Sequence, residues 1–217
     1  GVLVGLTRIG DVVGYEIDKD GNKIAVPGKL IYRGYNVEDI VHDAEKHHQF
    51  GYEQCVYLLL FGQLPTQNQL DVFRDFLGSL RILPPNFTED MIMKAPSSDI
   101  MNKIARGVLA SYSYDNNPED RSLPTVLREC VELIARFPTR AAYGYQAKRR
   151  YYDGKSMYIH NPDPKLSTAE NFLRLIRSNK SYTRLEAEIL DLALILHAEH
   201  GGGNNSSLTI HVVSSAD

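Results

Sequence analysis

The sequence lacks a long hydrophobic run, and its charges are nearly balanced. No segment of its 217 residues approaches the roughly 20 consecutive apolar residues that a membrane-spanning helix needs, so we expect no membrane contact. The formal net charge is -3, and lysine and arginine are spread along the chain without a basic stripe, so we expect no nucleic-acid binding. Residues 1–4 show neither a basic region nor a cleavage-like site, which argues against a signal peptide. These absences favour a soluble globular protein.

Cysteine is scarce as well. Cys55 and Cys130 are the two cysteines of the chain, and they lie far apart in helical patterns. We expect both to be buried, reduced thiols, as in a cytoplasmic protein. Residues 214–217 follow an apolar run without a closing element, so we also expect the chain to be a piece of a longer protein.

What the sequence does contain is helical periodicity, preceded by an extended segment. Alternating apolar residues and a turn-rich stretch at 19–22 predict a small antiparallel β-hairpin within residues 2–33. The predicted helices cover residues 36–47, 52–61, 65–77, 99–112, 123–135, 141–150, 168–176 and 185–197. A bend or restart is expected at Phe137-Pro138, since proline removes a helical hydrogen bond. No internal repeat appears, so we predict a mostly α fold and one domain over residues 1–217.

The same patterns predict which residues are buried. The residues expected to face inward in the helix over 99–112 are Ile100, Ile104, Val108 and Leu109. The helix that ends at His197 is apolar almost all round, so it should be deeply buried. Small residues within 141–144 favour a close approach by another helix, either inside the chain or at a subunit contact.

The stretch from His197 to Ser207 carries the most specific chemistry. It reads His-Ala-Glu-His-Gly-Gly-Gly-Asn-Asn-Ser-Ser and directly follows that apolar helix. Three glycines free the backbone for a sharp turn, and the polar residues after them are good N-caps for a next helix. A helix C-terminus favours a protonated imidazole, and the N–H groups at the next helix N-terminus favour anions. The pattern therefore predicts a pocket for a small carboxylate, to which a histidine donates a hydrogen bond.

Two other interpretations of this stretch stay open. His197 and His200 at a helix end are equally typical of hydrogen-bonded core histidines. Together with Glu199 they are similar to a zinc site. Known helical zinc motifs, however, place their histidines four apart or use another order, so we expect no metal.

At these residues the sequence resembles the citrate synthase family. The His-Ala-Glu-His segment with its small residues and Asn-x-Ser is similar to the family's oxaloacetate-binding segment. Other stretches agree with the family in order along the chain. They are residues 28–35 (GKLIYRGY), 64–66 (LPT), 137–139 (FPT) and 166–173 (LSTAENFL). Each motif is weak alone, but the ordered set spans nearly the whole chain.

The resemblance implies a fold, an activity and site residues. The chain would be the N-terminal part of an all-α large domain, without the small CoA-binding domain. The enzyme would be a cytoplasmic homodimer that condenses acetyl-CoA with oxaloacetate to citrate and CoA in the tricarboxylic acid cycle, with no metal and no bound cofactor. His200 matches the family histidine that hydrogen-bonds oxaloacetate. Asn204 and Ser206 match polar positions of that pocket, and His197 matches a neighbouring structural histidine.

Two features depart from the family pattern. Gly201 stands where the family often has an acidic residue. This departure resembles a bacterial subgroup that includes 2-methylcitrate synthases, so propionyl-CoA is an alternative substrate. The family's catalytic residues, two histidines and an aspartate, match nothing here, since His211 follows the motif too soon. The arginines that clamp oxaloacetate are likewise expected further along. We therefore assign no catalytic residue and expect no turnover by residues 1–217 alone.

Two alternatives from other functional classes also stay open. One is a helical scaffold that kept the fold and lost the chemistry. The other is a metal-dependent hydrolase built on His197, Glu199 and His200. By the family resemblance, helices within 99–112 and 122–150 would contribute to the subunit contact.

Overall fold

A computed structural model describes residues 7–199 and Thr209, and its elements follow the predicted order. The strands are β1 (Gly10–Ile17), β2 (Lys23–Tyr32) and β3 (Tyr35–Asn36), which form one antiparallel sheet in that order. The helices are α1 (Val37–Lys46), α2 (Tyr52–Phe61), α3 (Gln67–Ser79), α4 (Ile100–Ala110), α5 (Leu123–Tyr151), α6 (Thr168–Ile176) and α7 (Arg184–Leu196). A π-helical turn occupies Thr88–Met93, and a 3-10 turn occupies Ser111–Tyr114. The prediction of a mostly α fold with a small N-terminal hairpin is confirmed.

The chain forms two compact units, each with its own hydrophobic core. The first unit comprises Gly1–Leu70 and Glu188–Asp217, and the second comprises Asp71–Ala187. The core of the first unit contains Tyr32, Val37, Ile40, Cys55, Leu58 and Ile195. The core of the second unit contains Leu83, Phe87, Ile92, Ala142, Tyr143, Ala147 and Leu175.

Local signals in the first unit end its elements where the sequence predicts. At the hairpin tip, the Asp18 carboxylate accepts hydrogen bonds from the backbone N–H groups of Asp20 and Asn22, which closes the turn. The Asn36 side chain accepts from the N–H of Glu38 and caps α1. Gly62 ends α2 in the left-handed region, at φ +79°, which costs glycine little.

The long helix α5 of the second unit runs through Pro138 as one element, so it does not restart there. Proline in a helix interior costs about 3 kcal/mol because it removes a hydrogen bond and crowds the preceding turn. Contacts on the buried face of α5 offset that cost. The Thr139 hydroxyl donates to the carbonyl of Arg81 at 3.1 Å, and the Gln146 amide donates to the carbonyl of Ile176 at 2.8 Å.

The predicted inward face of α4 is wrong at Leu109, which is 76 % exposed. The buried residues of this helix are Lys103 and Gly107. Burial of Lys103 is tolerated because its ammonium donates to the carbonyl oxygens of Met91 and Ala95. Periodicity alone predicted that the apolar residues of α4 face inward. In the structure, Lys103 is buried instead, because carbonyl groups just before the helix accept hydrogen bonds from its ammonium group.

The two cysteines are both free thiols, but they lie in different environments. Cys55 is buried in the first core, as predicted, whereas Cys130 is exposed on α5, so its predicted burial is wrong. Burial, with a smaller effect from the Asp191 carboxylate, raises the pKa of Cys55 to about 12. Cys55 therefore stays a protonated, unreactive thiol at neutral pH.

Among the helices of the described residues, none combines the length and the apolar composition that a membrane-spanning segment requires.

Candidate functional site

The predicted site begins where α7 ends, and the described residues reach its first three positions. His197, Ala198 and Glu199 directly follow α7. His200, Asn204 and Ser206 lie outside the described residues. The structure therefore describes how the chain enters the site, and the binding roles of those three residues stay predictions.

The C-terminal end of α7 is held by the side chain of Tyr32, at the end of β2. Tyr32 is fully buried, and its hydroxyl donates to the carbonyl oxygen of Ile195 at 2.8 Å. The hydroxyl oxygen of Tyr32 also accepts a hydrogen bond from the backbone N–H of Glu199, at 3.4 Å. One hydroxyl thus contacts both the last turn of the helix and the backbone after it. Burial raises the pKa of Tyr32, so the hydroxyl keeps its proton.

A second anchor lies one turn earlier on α7, at Asp191. This carboxylate is 5 % exposed and accepts hydrogen bonds from the N–H groups of Gly51 at 2.7 Å and Tyr52 at 3.2 Å. Gly51 is the N-cap position of α2, which has no capping bond from its own side chain. Asp191 therefore supplies the missing acceptor from elsewhere in the chain, and its charge suits the positive end of α2.

Two glycines let neighbouring segments approach this helix end closely. A Cβ at Gly51 would lie 3.1 Å from Cδ1 of Ile195 and 3.2 Å from Cβ of Ala44, tighter than usual contacts. A Cβ at Gly10 would lie 2.8 Å from Cγ of Glu199, so Glu199 packs directly on the strand backbone. These contacts position the first residues of the motif by tight packing as well as by hydrogen bonds.

The prediction that this helix is deeply buried is wrong for much of its surface. Ala187, Asp191 and Ile195 form a buried face at helical spacing. Leu192 and Leu196 are 39 % and 48 % exposed. A helix with apolar residues all round needs partners on all sides, and among the described residues it is buried on one side only.

The exposed leucines line a cavity of about 290 Å³ in the first unit. Its other walls come from β2 and α1 and include Leu30, Val41 and His42. His42 is solvent-exposed and is one polar group in a mainly apolar wall. Periodicity did not single out His42, because an exposed histidine on a surface helix gives no distinctive signal.

His197 itself is exposed, so the core-histidine interpretation is wrong for this residue. Its Nδ1 lies 2.8 Å from the carbonyl oxygen of Ala193, which can only accept, so this hydrogen bond requires the proton on Nδ1. In the part of the chain that the structure describes, no group of three potential metal-ligating side chains comes together.

Sequence reasoning missed the two anchors, Tyr32 and Asp191, although both leave a faint signal. Asp191 lies between apolar residues in the second half of the helical pattern, and an acidic residue in such a place is a sign of a buried partner. Tyr32 ends a strand within a family-like stretch, but the residue that it binds, Ile195, lies 163 positions further along the chain. The acceptor and donor could be paired only in three dimensions.

Comparison with solved structures identifies the class of fold. Citrate synthase from Pyrobaculum aerophilum superimposes with a TM-score of 0.77 at 27 % identity, covering 98 % of this chain and 49 % of that one. The family profile "Citrate synthase, C-terminal domain" matches residues 1–217. The chain belongs to the citrate synthase family.

The curated relatives of the chain include enzymes with two different named activities. Citrate synthase of Haloferax volcanii is 33 % identical over 87 % of this chain and 47 % of its own length. 2-Methylcitrate synthase of Shewanella oneidensis is 29 % identical over 86 % of this chain and 45 % of its own length. The chain thus spans about half the length of these relatives, and their similarity does not separate the two activities.

Proposed function

We propose that the protein to which this chain belongs condenses acetyl-CoA with oxaloacetate to give citrate and CoA. In that reaction the methyl group of acetyl-CoA loses a proton, and its carbon bonds to the keto carbon of oxaloacetate, whose oxygen takes up a proton to become a hydroxyl. Water then cleaves the thioester, which releases CoA as the thiol and leaves a carboxylate. The match to the citrate synthase family over residues 1–217 carries the proposal. It is supported by the fact that the family-like motif follows the anchored end of α7.

In this proposal, His200 donates a hydrogen bond to oxaloacetate, and Asn204 and Ser206 contribute polar groups to the pocket. His197, three residues earlier in the sequence, supports that position. Anchoring by Tyr32 and Asp191 matters because catalysis gains most from polar groups that are held in place before the substrate arrives. A flexible helix end would have to be ordered at each binding event.

The proton-transfer residues of the reaction are proposed to lie beyond this chain, so residues 1–217 alone should not release CoA. The test is an assay of CoA release with oxaloacetate and acetyl-CoA, run on residues 1–217 and on the complete natural protein. Turnover by the complete protein and none by the short chain supports the proposal. Robust turnover by residues 1–217 would contradict it.

Propionyl-CoA is the alternative substrate, because a 2-methylcitrate synthase is among the relatives. The ratio of kcat/KM for acetyl-CoA over propionyl-CoA, measured on the complete protein, decides between the two. One methylene group in an apolar pocket changes that ratio by about 10- to 200-fold, so the preference is easily measured.

The role of His200 is testable through substrate binding. In the complete protein, His200→Ala should weaken oxaloacetate binding by about tenfold or more in calorimetry, since a charge-assisted hydrogen bond is lost. His197→Ala is the matched control, for which we expect a smaller loss. Equal affinity in the wild type and His200→Ala would contradict the assignment. About one zinc per chain in elemental analysis would favour the metal-hydrolase alternative instead.

Dimerisation through α4 and α5 is part of the same proposal. In the second unit, these two helices carry several large apolar side chains that solvent reaches. They are Met101, Leu109, Leu123, Val126, Phe137 and Tyr145. Apolar surface of this kind is typical of a protein contact. Sedimentation of the complete protein at twice the chain mass, and at the chain mass after Leu109→Glu, would support this contact.

A further inference from the structure

The second unit contains a cavity of about 200 Å³ that the proposed reaction does not use. We call it the Arg140 cavity. Its walls come from α5, from the end of α4 and from the turn after it, and they include Arg136, Arg140, Tyr112, Tyr114 and Leu133. It therefore combines two guanidinium groups with an aromatic and aliphatic surface.

Arg140 is 3 % exposed, yet two of its nitrogens lack a hydrogen-bond partner. Nε and Nη1 are buried and donate to no acceptor. The guanidinium carbon lies 5.2 Å from the centre of the Phe87 ring, a cation-π contact that leaves the N–H groups unmatched. Burial, helped by nearby Arg136 and opposed by Glu132, lowers the pKa of Arg140 to about 10, so it stays charged at neutral pH.

The carboxylates around the cavity are already engaged by other arginines. Glu132 accepts from Nη1 of Arg136 at 2.6 Å and from Nη1 of Arg128 at 3.1 Å. Asp115 accepts from Nη2 of Arg128 at 2.8 Å. Each acid is thus shared or paired within this cluster, and neither forms a hydrogen bond with Arg140. The buried guanidinium is the charged group of the cavity that lacks a counter-ion in contact.

We propose that the Arg140 cavity binds a small organic monocarboxylate, whose carboxylate pairs with Arg140 and whose apolar body lies against Tyr112, Tyr114 and Leu133. A carboxylate matches the planar, forked geometry of a guanidinium. Asp115, Glu129 and Glu132 in the same wall would repel a second negative charge. This repulsion disfavours phosphate and dicarboxylates, including the substrate oxaloacetate.

The test uses benzoate as the probe, with acetate and inorganic phosphate as comparison anions, on the complete natural protein. Benzoate should raise the thermal unfolding midpoint in a saturable manner, because a ligand that binds only the folded state stabilises it. Acetate lacks the apolar body, and phosphate carries the second charge, so both should bind at least about tenfold more weakly.

Variants separate specific binding from general salt effects. Arg140→Met should abolish the saturable benzoate response, whereas Arg150→Met, an exposed arginine on the same helix, should keep it. Glu129→Gln removes one repelling charge without touching Arg140, so it should strengthen binding of benzoate and, more strongly, of phosphate. Activity with oxaloacetate is not the readout, so failure of this proposal is distinguishable from failure of the proposed reaction.

Three outcomes would overturn the inference. One is a benzoate response that is absent, or that is equal in the wild type and Arg140→Met. Another is phosphate binding more tightly than benzoate. The third is a change of oligomeric state in Arg140→Met without any benzoate effect, which would assign the guanidinium to a subunit contact.

Discussion

Asp191 in the first unit and Arg140 in the second are both almost completely buried charged residues, and they differ in their partners. Asp191 accepts two hydrogen bonds from the start of α2. Arg140 keeps two buried nitrogens without an acceptor. Burying a charge is costly unless hydrogen bonds and opposite charge compensate it. Asp191 therefore holds a helix in place, whereas Arg140 still has two N–H groups that could bind an acceptor.

Removing the matched charge should have the largest effect. Asp191→Ala leaves the N–H groups of Gly51 and Tyr52 without acceptors inside the protein, so we expect a loss of about 3 kcal/mol in the free energy of unfolding. Asp191→Asn keeps an acceptor and should lose about half as much. Urea unfolding followed by circular dichroism measures both.

The matched control for this change is Glu188→Ala, which removes an exposed acid from the same helix. Its effect should stay below about 1 kcal/mol, because interactions of exposed charges contribute little. Similar losses for Asp191→Ala and Glu188→Ala would show that the hydrogen bonds to α2 contribute little.

Removing the unmatched charge of Arg140 should stabilise the protein, in contrast to the loss of stability expected for Asp191→Ala. Arg140→Met replaces a buried guanidinium by an apolar side chain of similar length. We expect the ligand-free protein to gain about 1–3 kcal/mol in the free energy of unfolding. Arg150→Met should change little in the same urea titration. A destabilised Arg140→Met protein would mean that Arg140 is compensated in solution, and the contrast with Asp191 would not hold.

The buried thiol and phenol of the first unit should make its stability depend on alkaline pH. Burial first, and nearby acids second, raise the pKa values of Tyr52 and Cys55 to about 12, from ordinary values of 10.0 and 9.0. Above pH 9 the unfolded chain loses the Cys55 proton while the folded protein keeps it. Stability should therefore fall as pH rises from 9 towards 12, by up to about 1.4 kcal/mol per pH unit for this thiol.

Cys55→Ala removes the contribution of the thiol, so its stability should fall less steeply with pH over the same interval. Urea midpoints measured at several pH values test this difference. Parallel pH profiles for the wild type and Cys55→Ala would show that another group causes the alkaline loss.

The smallest expected effect concerns the other anchor of α7. Tyr32→Phe removes the hydroxyl that binds the carbonyl of Ile195 and should cost about 1 kcal/mol. Amide hydrogen exchange at residues 195–199 should become faster, since that segment loses its contact with β2. Tyr35→Phe, in the neighbouring strand, is the control. Unchanged exchange in Tyr32→Phe would show that this hydroxyl does not hold the end of α7 in place.

Much of the helical framework could be predicted, because its signals are local. The bounds of α2 and α6 agree with the prediction residue for residue, since Gly62 ends the first and a Ser167–Glu170 capping box starts the second. The faces of α4 and α7 could not be predicted equally well. Leu109, Leu192 and Leu196 are exposed, although the pattern placed them inside. A hydrophobic pattern identifies the faces that need a partner, and the rest of the fold decides which of them obtain one.

The site divides in the same way. The motif that begins at His197 stands out in the sequence because glycines, capping residues and imidazoles leave local traces, and the citrate synthase resemblance rests on it. The anchors that hold its first residues depend on pairs such as Asp191 with Gly51, separated by 140 positions. The unmatched guanidinium of Arg140 depends on how α5 packs. Local residue patterns were enough to predict most of the helices, the bounds of α2 and α6, and the family. Which buried charges have partners could be seen only in the folded protein, because hydrogen bonding between distant residues depends on their placement in space.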